Sequence, residues 1–176
     1  MIHLLNRDAF ILLLYSMFLR TVFIKEKKFV GDCLTMSLAK DRTFELWSTF
    51  RPKLNRINNR LSHDFISLQV YPSLDYFNSF DFTNEFIKYA LVEADEFDLD
   101  DFEHVLISDT LYAVFLHKGK AENFPITMNF ILSDWLPNSE FEIADAPHFE
   151  VLGKDYKKDH SESQEEIWIP IKREET

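Results

Sequence analysis

The sequence predicts an α+β domain in which two helices pack on one face of an antiparallel sheet. The element order repeats, with strand, helix, strand and strand in residues 21–94 and again in residues 105–172. Each helix carries a single apolar stripe that must be buried against a sheet or another helix. The 176 residues, 46% of them hydrophobic, suit one domain with one substantial core. Two such halves could join along a central cleft, which is a common location for a ligand.

The first half begins with two predicted strand segments, residues 21–24 and 29–37, that are rich in β-branched and apolar side chains. Asp41 or Thr43 can cap the helix that follows, and Pro52 is expected to kink it. Two strands, residues 65–71 and 85–94, complete this half. The predicted helix stripe consists of Leu46, Phe50, Leu54, Ile57 and Leu61, at spacings of 4, 4, 3 and 4.

The second half repeats this order after an acidic connection, residues 93–103, that lacks the glycine and ligand spacing of a calcium loop. Strands are predicted over residues 105–108 and 110–117, and a helix over residues 121–135 with Pro125 in its first turn. A short extended segment, residues 141–143, precedes strands over residues 147–156 and 166–172. Pro170 in the last strand indicates an edge or strand-end position, because proline cannot donate to a ladder.

The first twenty residues are treated as an N-terminal apolar extension, with the domain itself over residues 21–176. Residues 9–19 form an apolar run of eleven, which is too short to span a bilayer. Three interpretations stay open: a packed N-terminal element, an upstream extension with the natural start at Met17, and a signal sequence.

Charge and motif content exclude several classes of function. The net charge of −11 disfavours direct nucleic-acid binding and favours a neutral or cationic partner. A single cysteine, Cys33, and the absence of glycosylation sequons fit a reducing cytoplasm. The six histidines show no metal-ligand spacing, and the three glycines form no phosphate loop, so no metal and no cofactor are predicted. No segment is long enough for a membrane span.

Glu150 is the main candidate site residue. In a strand it shares a face with His148 and Leu152, so it could be a carboxylate in partly apolar surroundings that a cationic ligand would compensate. The alternative is a solvent-exposed Glu. Aromatic side chains could supply apolar walls, although core packing is the competing interpretation for each. These candidates are Trp47, Tyr71, Tyr89, Tyr112, Trp135 and Trp168.

From residue 29 to residue 171 the chain resembles the GyrI-like effector-binding domains. These are the ligand-sensing parts of multidrug and AraC-type transcription regulators, and they also occur as stand-alone proteins. The order and spacing of several short stretches over about 140 residues carry the resemblance. They are residues 29–31, 36–37, 45–52, 67–71, 88–93, 112–119, 135–139, 145–150 and 168–171.

This resemblance implies two strand-helix-strand-strand modules related by a pseudo-twofold axis, with the ligand cleft between them. It also implies that the characteristic acid of the family, which follows a Pro-x-Phe pattern, is Glu150. Relatives usually place a Tyr in the final strand, where this chain has Trp168. They often have an aromatic residue two positions after the acid, where this chain has Leu152.

Three functions from different classes follow. The first is non-catalytic binding of a small hydrophobic, cationic or polarised molecule, with Glu150 as the electrostatic partner. The second is a hydrolase of electrophilic small molecules, in which Glu150 acts with Tyr71, Tyr89 or Tyr112. The third is a gyrase-inhibitor-like protein-interaction module. A separate regulator or gyrase is a candidate protein partner, and the sequence does not predict the oligomeric state.

Overall fold

The computed structural model describes residues 17–77, 81–97 and 100–174 of the chain. The described part contains seven strands and two short α-helices. The strands are β1 Phe18–Met36, β2 Phe65–Val70, β3 Phe86–Ala94, β4 Glu103–Lys118, β5 Phe141–Ile143, β6 His148–Leu152 and β7 Gln164–Arg173.

The helices are α1, Thr43–Phe50, and α2, Phe124–Asn129. Helix α1 continues directly into a 3₁₀ segment, Arg51–Arg56. Helix α2 is preceded by a 3₁₀ turn, Ala121–Asn123, and continues as a π-helical segment, Phe130–Trp135, and a 3₁₀ turn, Leu136–Asn138. A further 3₁₀ turn, Leu74–Tyr76, lies between β2 and β3.

All strand pairings are antiparallel, and six strands close into a ring. The sheet order is β4-β1-β3-β2-β6-β7-β5, and an additional β4–β7 pairing joins β4 to the other side of the sheet. The two longest strands make this closure possible. Strand β1 pairs with β4 from Phe18 to Gly31 and with β3 from Lys28 to Met36. Strand β4 pairs with both β1 and β7 over residues 111–115.

The two faces of this ring bury different sets of side chains. The inward face of all six strands forms one apolar cluster, in which Tyr112, Phe149 and Trp168 pack against each other. The outward face of β1 and β3 packs under α1, and that of β4 and β7 packs under α2. The predicted fold class is therefore confirmed, with both helices on the same, outward face of an antiparallel sheet.

One glycine marks the tightest contact between neighbouring strands. A Cβ atom at Gly31 would lie 2.0 Å from the carbonyl oxygen of Ala90. That distance is far inside van der Waals contact with a backbone atom that cannot rotate away. Glycine at this position allows β1 and β3 to approach each other closely.

Several predicted boundaries were wrong for identifiable reasons. The two segments predicted for the start of each half are single long strands, β1 and β4. The charged residues between the two predicted segments of β1 lie within the strand ladder, and the side chain of Lys27 forms an ion pair with Glu93 at 2.5 Å. Residues 18–20, assigned to the N-terminal extension, are part of β1. Residues 1–16 lie outside the described residues.

The helices are also shorter than predicted. After Phe50 the chain tightens into the 3₁₀ segment that contains Pro52, since proline removes a hydrogen bond of the α-helix. Leu54 and Ile57 still pack towards the core, but Leu61 lies beyond the helix and is 58% exposed. Asp41 accepts the backbone N–H of Thr43 at 2.8 Å.

The last two strands differ from the prediction in position and length. Strand β6 ends at Leu152 rather than residue 156. Pro170 is not at an edge, because β7 lies between β4 and the β6/β5 side of the sheet. The carbonyl oxygen of Pro170 accepts the N–H of Ala144. The nitrogen of Pro170 faces the same side of β7 as its carbonyl oxygen, because both groups of one residue point to the same neighbouring strand in an antiparallel sheet. This position falls after the β6 pairing ends at Trp168 and before the β5 pairing begins at Ile171, so no ladder bond is lost.

A cleft between the two helices as the candidate site

A cleft of about 380 Å³ lies on the outward face of the sheet, between α1 and α2. Its volume is in the range typical of small-molecule sites. The floor is formed by outward-facing side chains of β2, β6 and β7, because alternate residues of each strand point to this face. They are Ser67, Gln69, His148, Glu150, Leu152, Glu165, Ile167 and Ile169.

The walls of the cleft are mostly apolar. On the α1 side, Trp47 makes an edge-to-face contact with Phe65, with 5.6 Å between ring centroids. On the α2 side the wall consists of Phe124, Pro125 and Met128. Apolar walls around a few polar groups on the floor are the usual composition of a site that binds a small molecule.

Glu150 lines the floor of the cleft and is half-buried. One of its carboxylate oxygens accepts a hydrogen bond from Gln69 Nε2 at 2.9 Å. Ser67, the cross-strand partner of Glu150 on β2, is within 3.5 Å of the same amide nitrogen. Within the described part of the chain, no basic side chain forms an ion pair with Glu150. Its side-chain hydrogen-bond partner among the described residues, Gln69, is a neutral amide.

Glu165 is a second acid on the same floor. Burial, and then the negative charge of Glu150, raise the pKa of Glu165 to about 8, while Lys88 on β3 opposes the increase. At neutral pH this carboxyl group is therefore mainly protonated. The floor combines one carboxylate with one neutral carboxylic acid.

His148 lies at the edge of the same floor and is only 4% exposed. Its ring stacks on Phe77, with 5.1 Å between centroids, and contacts Tyr71 edge to face. Burial lowers the pKa of His148 to about 3, so the ring is neutral. Its Nδ1 atom is buried and has no hydrogen-bond partner among the described residues. Such an atom is unusual in a folded protein and often belongs to a functional site.

The GyrI-like small-molecule-binding domain model matches residues 17–172. The chain belongs to the GyrI-like family. No curated protein matches the sequence.

Solved structures of similar fold have low sequence identity to this GyrI-like chain. SAV2435 bound to tetraphenylphosphonium has a TM-score of 0.66 and 16% identity, over 87% of this chain and 93% of that one. The C-terminal domain of EcmrR has a TM-score of 0.60 and 12% identity, over 88% and 97%. A hydrolase from Listeria innocua has a TM-score of 0.57 and 11% identity, over 87% and 91%. At these identities the similarity establishes the fold.

Three of the predicted site residues lie together in the cleft of this GyrI-like domain: Glu150, Trp47 and Tyr71. Burial, and then the charge of Glu150, raise the pKa of Tyr71. Trp47 is the single tryptophan that lines the described cleft, which makes it a local fluorescence reporter.

The other four predicted residues do not line the cleft. Tyr112 and Trp168 lie inside the ring, and Tyr89 packs against the same interior cluster. Trp135 belongs to the core under α2, where its ring stacks on Phe18 at 5.1 Å. These side chains face inward or lie under a helix, where they fill space that would otherwise be a void.

Sequence reasoning did not assign several polar residues of the cleft to the site, among them Gln69, His148, Glu165 and Tyr156. The signal for Gln69 was available, since Ser67 and Gln69 alternate with apolar residues on one face of β2. Tyr156 follows the end of β6, and its placement depends on a loop. Burial, and then the charges of Glu165 and Glu150, raise the pKa of Tyr156, with Arg51 opposing.

The described residues, 17–77, 81–97 and 100–174, contain neither a metal-ligand cluster nor a membrane-spanning helix. No three His, Cys, Asp or Glu side chains converge there as ligands for a metal ion. No helix in these ranges has the length and apolar character needed to span a bilayer.

Proposed function

We propose that the cleft binds small hydrophobic cations without catalysis, and that Glu150 supplies the negative charge that attracts them. The observation that carries this proposal is the environment of Glu150. Its carboxylate is half-buried between apolar walls and has a neutral amide, Gln69, as its hydrogen-bond partner. A charge in such surroundings has a desolvation cost that a cation would offset.

The shape and chemistry of the walls support the hydrophobic part of this ligand class. Trp47, Phe124 and Met128 offer flat or polarisable surfaces on two opposite sides of the cleft. Aromatic faces attract cations through their quadrupole, and methionine adapts to different shapes. That SAV2435 is bound to tetraphenylphosphonium agrees with this class of ligand in a protein of the same fold.

The test is a titration with tetraphenylphosphonium, followed by quenching of Trp47 fluorescence. Glu150→Gln keeps the shape of the side chain and removes its charge. We expect the Kd to rise at least tenfold, equivalent to about 1.4 kcal/mol. The matched control is Glu162→Gln, at an exposed position in the loop between β6 and β7, and it should bind like the wild type. Equal affinity of wild type and Glu150→Gln would contradict the electrostatic role.

The alternative of a hydrolase receives less support from the geometry. That mechanism needs a Tyr hydroxyl within hydrogen-bond reach of Glu150. Among the described residues no Tyr hydroxyl bonds to this carboxylate, and the hydroxyl of Tyr112 donates instead to the carbonyl of Pro147 at 3.0 Å. Tyr156 lies in the same cleft and would be the phenol to mutate if hydrolysis of an electrophilic substrate were observed. The gyrase-inhibitor-like interaction stays a prediction from the family resemblance and the acidic composition.

A further inference from the structure

Two acidic side chains occupy the floor of the cleft, and the proposed function uses only one. Glu150 on β6 and Glu165 on β7 both point outward, since Glu150 pairs with Ile167 and Glu165 is two residues before it. Glu165 makes no hydrogen bond or ion pair through its side chain with any described residue. Burial is the largest cause of the raised pKa of Glu165, and the negative charge of Glu150 is the second.

None of the other described groups around Glu165 forms an ion pair with it. His117 is its cross-strand partner on β4. The Nδ1 atom of His117 is 2.8 Å from Thr127 Oγ1, and its Nε2 atom is 3.3 Å from the carbonyl of Lys120. Burial lowers the pKa of His117, against the opposing effects of that carbonyl and of Glu150, so its ring is neutral near pH 7.

Four other charged or titratable groups lie around the pair on the remaining elements. Lys88 on β3 is the basic group that acts on Glu165, Tyr156 faces it from the β6–β7 loop, and Arg51 at the end of α1 acts on Tyr156. Asp41 lies at the exposed rim and adds a further negative charge. Burial and the charge of Glu150 outweigh Lys88 and raise the pKa of Glu165, which favours its protonated form.

His148 provides an independent reason to treat this floor as a binding surface. It lines the same cleft, is 4% exposed and has an unpartnered Nδ1 atom. Because its pKa is lowered to about 3, it stays neutral above pH 6 and supplies no proton in that range.

We infer that a cation bound in the cleft displaces one proton from the Glu150–Glu165 pair. Before binding, Glu165 is a neutral carboxylic acid beside the Glu150 carboxylate. The incoming positive charge favours the ionised form of both acids. The O–H bond of Glu165 breaks, the electron pair stays on the carboxylate, and the proton leaves to the solvent. This inference rests on the proposed binding of cations at Glu150.

Because cation binding is coupled to proton release, the affinity for the cation should rise with pH. Below about pH 8, binding has to release the proton of Glu165, so the affinity rises with pH by up to about tenfold per unit. Above that value Glu165 is already ionised in the empty cleft, and the affinity levels off. A neutral ligand does not favour ionisation of Glu165, so its affinity should not depend on pH over the same range.

The test is calorimetric titration with tetraphenylphosphonium at pH 7, in phosphate and in Tris, two buffers with different ionisation enthalpies. Tetraphenylphosphonium has no titratable group, so any proton released comes from the protein. We expect release of between about half and one proton per cation bound by the wild type. Triphenylphosphine oxide, a neutral ligand of similar surface, should release none where it binds.

The variant Glu165→Gln mimics the protonated acid in shape and charge. It should release no proton on binding tetraphenylphosphonium, and its affinity should not change between pH 6 and pH 9. Glu162→Gln is the control of equal charge change and should behave as the wild type. Thermal melting checks that each variant is folded, and the wild-type comparison between buffers decides the question without any variant.

The outcomes separate the two proposals. Binding of tetraphenylphosphonium by the wild type with equal heats in both buffers, after correction for dilution, would overturn the proton linkage and leave cation binding intact. Proton release that persists unchanged in Glu165→Gln would also overturn it. No binding at any pH between 6 and 9 would contradict the proposed function itself, and the linkage with it.

Discussion

The interior of the strand ring and the floor of the cleft are opposite faces of the same strands. Consecutive residues divide between them: Phe149 is buried in the interior, and Glu150 faces the cleft. The interior is apolar and filled, whereas the floor carries two acids, an amide and a neutral histidine. The difference shows that a single pleated strand can pack the core on one side and line the candidate site on the other. Substitutions on the two faces should therefore separate in their effects.

The largest effect is expected for Phe149→Ala on the interior face. Phe149 is 2% exposed and packs against Phe29, Tyr112 and Trp168. The substitution should lower the free energy of unfolding by about 3–5 kcal/mol, because it leaves a cavity in a closed interior. Denaturant unfolding measures it. Phe44→Ala is the control, since Phe44 is 77% exposed and should change stability by less than about 0.5 kcal/mol. Similar losses for both would contradict the division between faces.

His148→Leu tests a buried polar group at the boundary between the faces. The pKa of His148 in the folded protein, about 3, lies below its ordinary value of 6.5. Its contribution to stability is therefore present above pH 6.5 and is lost as the pH falls towards 3, where the unfolded chain takes up the proton first. Thermal melting from pH 7 to pH 4 should show a smaller decrease in Tm for His148→Leu than for the wild type. An unchanged pH profile would show that this histidine does not titrate on unfolding.

Trp47 and Trp168 test the difference between the two faces through ligand binding. Trp47 lines the cleft and Trp168 lies in the interior, so Trp47→Ala should weaken tetraphenylphosphonium binding by about tenfold. Trp168→Phe should lower stability by about 1–2 kcal/mol and leave the affinity unchanged. Calorimetric titration gives both affinities. A loss of affinity in Trp168→Phe equal to that in Trp47→Ala would place the ligand outside the cleft.

The smallest effect is expected for Glu166→Gln, the neighbour of Glu165 that points away from the cleft. Glu166 forms a bidentate pair with Arg20 at 2.9 and 3.0 Å and accepts the indole N–H of Trp168. The Arg20–Glu166 pair is partly exposed, so its loss should cost less than about 1 kcal/mol, and less at high salt. Cation affinity and its pH dependence should match the wild type. A change in either would show that charge on both faces of β7 acts on the cleft.

The sequence predicted the fold class and the repeated element order because both depend on local periodicity and turn residues. The sequence also indicated Glu150, through the resemblance to the family and its Pro-x-Phe pattern, and this residue lines the cleft. It could not locate Glu165 or Tyr156, because these enter the cleft through the pairing of β7 with β4 and β6 and through a loop. The four aromatic residues assigned to the cleft but found elsewhere illustrate the same limit. Tyr112 and Trp168 are on strands, and only the register decides which face of the sheet they occupy.

The closed ring has a consequence for how other chains can approach this protein. Each of β1–β4, β6 and β7 has a neighbouring strand on both sides, and among the described strands only the three-residue β5 has one neighbour. Exposed strand edges are where proteins recruit further strands, in fibrils and in complexes that form by strand addition. Two longer open edges remain, because residues 18–27 of β1 pair with β4 alone and residues 103–110 of β4 pair with β1 alone. Among the described strands, addition of a strand from another chain is therefore confined to these two edges and to β5.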